Sequence, residues 1–281
     1  MRWRELPVEA RRYIIYHVIV CPLLFAWYMI PYYLLSLGYT VVETGLIFTV
    51  IQLIGVPLSY LMGKIFTYND IRIGIASIDF LEGISRILLG LAYGPIAPII
   101  ILIALIFEDL SDYFYPVYPA YEKLIYPNDK MKDALAWHLR LPEAAIVLTY
   151  PIWRYILGVL YQDLNSIRIA FVLFGIVHLS LILHTFTFLK PMKPVESKEE
   201  GEKIKITRAL RRVWIYITVE ITFTMVWIFA STLSLVYYIM EVYRGNLLHI
   251  GLVEASISLA TIAGTYITDR ISVSKSFRAF K

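Results

Sequence analysis

The chain has 281 residues, of which 59% are hydrophobic and only 17% charged, with a formal net charge of +4. A soluble domain of this length carries about 25% charge, so a water-soluble globular domain is excluded. A single cysteine, Cys21, excludes an intrachain disulfide.

The apolar residues are grouped into eight runs: 13–36, 42–64, 72–93, 96–121, 136–160, 167–189, 213–240 and 247–267. Each is long enough to cross a hydrocarbon core about 30 Å thick. Lipid offers the backbone no hydrogen-bond partner, so runs of this length are expected to be helices. The first run is too long for a signal-peptide core and no small-residue cleavage pattern follows it, so it reads as a retained span. It is rich in aromatics, with Tyr13, Tyr16, Trp27, Tyr28, Tyr32 and Tyr33. Prolines fall inside the first, second, fourth and fifth runs, at Pro22, Pro31, Pro57, Pro116, Pro119 and Pro151, where they produce kinks.

The third run carries Asp79, Glu82 and Arg86, the fourth Glu108, Asp109 and Asp112, the fifth Glu143 and Arg154, the seventh Glu220 and the eighth Glu254. These eight acids face two bases. An uncompensated charge at mid-membrane costs about 2.5–3.5 kcal/mol on insertion scales. Some of these carboxylates must therefore be protonated, face water or meet a cation. Glu82 and Arg86 stand four apart, acid first, which suits an intrahelical pair with Asp79 on the same stripe. Glu108 and Asp112 are four apart, and Asp109 and Asp112 three apart, so one helical face carries neighbouring carboxyls. Like charges that close retain a proton easily, which makes this face a candidate proton or cation site. Pairing with Arg154, Arg140 or backbone groups is the plainer alternative.

Between the sixth and seventh runs lies a charged, proline-containing linker, 190–212, which separates six spans from two. The chain thus divides into 1–189, 190–212 and 213–281. Positive charge alternates between loops. The amino terminus, the loops after spans two, four and six, and the tail hold 22 Lys and Arg, against Arg168 and Arg244 in the others. By the positive-inside rule this implies an even number of crossings and both termini in the cytoplasm. The net charge is this loop excess, and no nucleic-acid partner is expected.

A weak repeat crosses the linker at an offset of 206 residues. It pairs Gly45-Leu46 with Gly251-Leu252 and Gly63-Lys64 with Asp269-Arg270, with Ile51, Leu53 and Tyr60 falling on Ile257, Leu259 and Tyr266. Parallel repeats of this kind occur in some transporter folds. With the six-plus-two layout, Pro151 and Gly158 in the fifth span, the Tyr126-Pro127 connection after the fourth, and Asp269-Arg270 followed by Lys275 and Arg278, the chain resembles the major facilitator superfamily. Gly63-Lys64 and Ser59 depart from that family's loop motif at the second span, and Thr265 and Ser272 at the eighth.

The resemblance implies an all-α membrane bundle with a six-helix first half and two helices of a second. It also implies alternating-access transport of a small solute in the plasma membrane. In that family the first, fourth and seventh helices line the central cavity. Trp27, Tyr28, Asp109, Asp112, Glu220 and Trp227 are then lining candidates, and Asp269 and Arg270 belong to a cytoplasmic gating motif. Glu108, Asp109, Asp112, Glu143 and Glu220 are the candidates for substrate or proton coupling, with Arg154 as counter-charge. The family has twelve spans. The expectation is therefore a shortened member, or one completed by another chain or copy, with its last two helices the loosest part.

The five histidines, His17, His138, His178, His184 and His249, show no metal-ligand spacing, and no metal or cofactor is expected. Neither a Gly-rich phosphate loop nor a Gly-x-Ser-x-Gly elbow is present, so ATP-driven transport is not expected, and the scatter of the acids over five spans argues against an enzyme. Two alternatives remain: a membrane enzyme using the intramembrane carboxylates, and a non-transporting membrane subunit.

Overall fold

A computed structural model describes residues 3–66, 70–193 and 231–270 together with Trp214, Thr218 and Thr222; for 55–66 and 268–270 it describes backbone only. Among these residues every regular element is a helix. The first span is α1 (Val8–Val20), a 3-10 turn (Cys21–Phe25) and α2 (Ala26–Ser36). The break follows from Pro22, which has no N–H to donate into the preceding turn. Pro31 sits inside α2 without interrupting it. Gly38, at φ +94°, turns the chain after α2 in a conformation few residues other than glycine adopt.

Next come α3 (Val41–Phe66), α4 (Ile71–Gly90), α5 (Ala97–Asp112) and α6 (Val117–Ile125). Pro116 separates the last two. α7 (Met131–Tyr155) runs into a π-type turn, Ile156–Leu160, and α8 (Leu164–Phe188) follows. The Asp163 carboxylate caps α8 by accepting from the Asn165 and Ser166 amides at 2.9 and 3.0 Å. From residue 231 onward the described elements are α9 (Thr232–Tyr237), a π-type turn (Tyr238–Val242) and α10 (Leu247–Arg270).

Among the described residues, five helical stretches are long and apolar enough to cross a membrane: Val8–Ser36, Gly94–Ile125, Asn128–Leu160, Leu164–Phe188 and Leu247–Ile267. The eight apolar runs of the sequence do not all reach that standard. α4 has the length, 20 residues, but carries Arg72, Asp79, Glu82 and Arg86. The described side chains of α3 extend only to Ile54, and most of the seventh run, with Glu220 and Trp227, lies outside the described residues. The polarity is inverted relative to a soluble protein. Leu183, Leu148 and Leu53 are 73%, 69% and 67% exposed, whereas Arg86, Arg154 and Asp79 are 0% exposed. Water would not tolerate that outer surface, and lipid would. The chain is membrane-embedded.

Two antiparallel pairs organise the bundle. α4 lies on α8 through glycines. A Cβ on Gly175 would sit 2.6 Å from the Gly83 carbonyl oxygen, and one on Gly83 would sit 2.9 Å from Leu179. Without a hydrophobic drive between helices in lipid, such close backbone approach is what van der Waals association requires. One end of this pair is tied off by Asp70, whose carboxylate accepts from the Arg72 and Met192 amides at 3.1 and 3.3 Å.

α7 and α10 form the second pair. Their contacts run from Gly158 opposite Leu248, through Arg154 lying across Gly251, to Arg140 donating to the Thr265 hydroxyl at 3.0 Å. The Arg140 guanidinium also stacks 4.1 Å over the Tyr266 ring. The last helix is thus seated along α7 by polar and aromatic contacts.

Candidate functional site

α5 is apolar from Ala97 to Phe107 and then turns acidic at Glu108, Asp109 and Asp112. The turn at Tyr113–Pro116 ends the helix just beyond them. These three carboxyls line a cavity of about 820 Å³ between α2, α3, α5 and the start of α9. Trp27, Gln52, Tyr115 and Ser231 contribute to the same wall, and no Lys, Arg or His is among the described lining residues. Trp27 and Tyr115 stand 6.2 Å apart between ring centroids.

Behind the cavity lies a buried charge network. Glu108 is its link, with Oε1 3.3 Å from Arg86 Nη2 and Oε2 buried without a hydrogen-bond partner among the described residues. Arg86 Nη2 also meets Glu82 Oε2 at 2.6 Å, which is the intrahelical pair read from the four-residue spacing. The Tyr115 hydroxyl donates to Glu82 Oε1 at 2.7 Å. Arg86 Nη1 contacts His178 Nε2 on α8. Asp79 does not share the arginine. It accepts from the Tyr16 hydroxyl at 2.9 Å and faces His178 Nδ1 at 3.8 Å. Tyr16 in turn is 3.2 Å from the Tyr118 hydroxyl.

Glu82 and Glu108 therefore meet one guanidinium, and Asp79 is buried in the same network through His178. A single arginine cannot neutralise three carboxylates in a site of low polarity, so the network must hold protons or admit a cation. On the cavity side, Asp109 accepts from the Tyr113 hydroxyl at 3.2 Å, and the Asp112 backbone carbonyl accepts from the Tyr115 amide at 3.2 Å.

The remaining candidates lie elsewhere. Arg154, expected as counter-charge for the α5 carboxyls, is not beside them, and Arg86 takes that place. Arg154 lies in the α7–α10 seam, fully buried, with Nε, Nη1 and Nη2 all lacking a hydrogen-bond partner among the described residues. Its guanidinium is 5.0 Å from the Tyr150 ring centroid and 5.6 Å from that of Phe25. Tyr28, expected in the central cavity, interacts instead with Glu254 and Arg154. Glu143 also belongs to this seam, facing Ser258 and Glu254 on α10. Glu220 and Trp227 lie outside the described residues, as do the side chains of Asp269 and Arg270 at the end of α10.

His178, Tyr16 and Tyr118 were not legible as site residues. Their polar partners lie far along the chain: His178 reaches Arg86 across 92 residues and Tyr16 reaches Asp79 across 63. The histidines also hold a second arrangement that spacing did not reveal: ring nitrogens of His17 and His138 and a Glu122 carboxylate oxygen all lie within 4.8 Å of one another. The chain matches no family model, and no curated protein or solved structure is significantly similar to it.

Proposed function

We propose that the chain is a secondary transporter of a small cationic or hydroxylated solute, coupled to protons or another cation, with Glu108, Asp109 and Asp112 as the coupling groups. The observation that carries this reading is a cavity whose described lining residues include three carboxyls and no base, joined through Glu108 to the Arg86 network. An acidic wall with Trp27 and Tyr115 suits an organic cation through charge and ring faces. Binding a cation in the cavity alters the field at Glu108, and hence the occupancy of a shared proton behind it. That supplies the differential interaction that coupling needs.

Movement would follow the alternating-access scheme, with helical bundles rocking around a site deep in the membrane. Eight spans, both termini in the cytoplasm, residence in the plasma membrane and kinship with the major facilitator superfamily belong to the same proposal. They rest on loop charge and on the repeat across the linker. The enzyme alternative is disfavoured because Glu143 stands with α10, away from the α5 carboxyls.

The test is solute-evoked proton movement in proteoliposomes carrying an internal pH dye, challenged with choline, tetraethylammonium and sorbitol. Proton entry is expected with at least one of them, and its loss in Asp109→Asn or Asp112→Asn. No evoked proton movement in the wild type, or unchanged movement in both variants, would sink the assignment.

A further inference from the structure

We propose that His17, Glu122 and His138 form a binding site for a divalent transition ion of the zinc class, joining α1, α6 and α7. The site is separate from the acidic cavity, and the proposal is independent of transport. Each ligand comes from a different helix. Their candidate donor atoms, two imidazole nitrogens and one carboxylate oxygen, already lie within 4.8 Å of one another. Ligands of a tetrahedral ion held at about 2.0–2.1 Å stand about 3.3 Å apart. The remaining closure is within reach of side-chain rotation.

The arrangement as it stands leaves one atom unexplained. His138 Nδ1 meets Glu122 Oε1 at 3.2 Å and the Tyr126 hydroxyl at 2.9 Å. His17, only 9% exposed, has its Nε2 buried with no hydrogen-bond partner among the described residues. A buried polar atom left without a partner is costly. The ring centroid lies 4.5 Å from that of His138 with the planes 41° apart, and Tyr13 and Tyr118 enclose the ring at 4.6 and 4.9 Å. A cation placed between the two imidazoles and the carboxylate uses that free lone pair.

Ligand chemistry selects the ion. Two imidazoles and one carboxylate favour zinc, cobalt or copper over magnesium and calcium, which take oxygen ligands almost exclusively. Three protein ligands leave a coordination position for water. Further contacts orient the ligands as metal sites require. The Tyr13 hydroxyl donates to Glu122 Oε1 at 3.2 Å, and Tyr126 holds His138. Sequence spacing hid the site because the two histidines lie on the first and fifth spans.

The experiment strips the purified, detergent-solubilised chain with chelator, reloads it with Zn²⁺ or Co²⁺, and measures bound metal after gel filtration. The Co²⁺ visible spectrum is recorded on the same sample. About one retained ion per chain is expected, with the intense bands of four- or five-coordinate Co²⁺. His17→Gln and His138→Gln should lose it, and His249→Gln should not. Tyr126→Phe and Tyr13→Phe should weaken binding by about 10–100-fold while keeping all three ligands. If the histidine variants do not fold, the wild-type spectrum and the tyrosine variants decide. Absence of retained metal in the wild type, only the weak spectrum of octahedral Co²⁺, or full retention in the His17→Gln/His138→Gln double variant would overturn the proposal.

Discussion

The α4–α8 pair and the α7–α10 pair solve the same problem differently. Both bury an arginine at 0% exposure between antiparallel helices. In the first, Arg86 meets Glu82, Glu108 and His178, and the helices close together over Gly83 and Gly175. In the second, Arg154 lies across Gly251 against aromatic rings with no hydrogen bond among the described residues. The contrast separates a charge that holds the fold together from one that the fold merely accommodates. It also places the counter-charge of the candidate site on α4.

The largest expected effect comes from breaking the first pair. Arg86→Met leaves Glu82 and Glu108 buried without their cation, a change that costs about 3–5 kcal/mol where a buried pair is severed. Chemical unfolding in detergent, or loss of monodisperse protein on gel filtration, reads it. Next is the glycine seam. Gly175→Ala puts a methyl against the Gly83 carbonyl and Ile87, neither of which is the free end of a flexible side chain. Overpacking of this kind costs about 1–3 kcal/mol. Gly264→Ala, with nothing within 4 Å of its added methyl, is the control.

A smaller effect is expected at the end of the same pair. Partial burial alone would raise the Asp70 carboxyl. Hydrogen bonds from Arg72 and from the Met192 amide more than offset this and hold it below its ordinary value. A carboxyl with a depressed folded-state pKa stabilises the fold above the ordinary carboxylate range, and that contribution is lost as pH falls through the folded value. Asp70→Ala should cost about 0.5–2 kcal/mol at neutral pH, as for other N-caps. The gap from wild type should narrow on acidification. A gap that widens in acid would contradict the cap assignment.

The smallest effect is expected in the second pair. Arg154→Met removes a buried charge that makes no hydrogen bond among the described residues. It takes the arginine's charge away from Glu254 but severs no hydrogen-bonded ion pair, so it should cost about 1 kcal/mol or less. A loss as large as that of Arg86→Met would erase the distinction between the two pairs.

What the sequence revealed follows from which interactions are local. Apolar runs marked where helices lie, because hydropathy is summed within one segment. The Glu82–Arg86 pair was readable from its spacing because both residues share one helix face. The assignment of Arg154 to the α5 carboxyls failed for the opposite reason. Nothing in the chain says that α7 turns that residue toward α10, while α4 presents Arg86 to Glu108. Tyr28 was misplaced with it, interacting with Glu254 and Arg154 in the same seam. Tyr13 and Tyr16 stood out in the sequence only as part of an aromatic-rich run, yet both are fully buried, one beside Glu122 and the other on Asp79. The histidines carried no periodic signal, because their partners lie on distant helices.

The central claim, that the α5 carboxyls couple solute to a driving ion, is tested most directly by splitting exchange from accumulation in one preparation. Vesicles containing the wild type, Asp112→Asn or Arg154→Met are loaded with the solute found to evoke proton movement. Exchange of labelled solute without a gradient and uptake driven by an imposed pH gradient are then measured side by side. The account predicts that Asp112→Asn keeps exchange and loses gradient-driven accumulation, while Arg154→Met keeps both. Accumulation that survives in Asp112→Asn but disappears in Arg154→Met would contradict it.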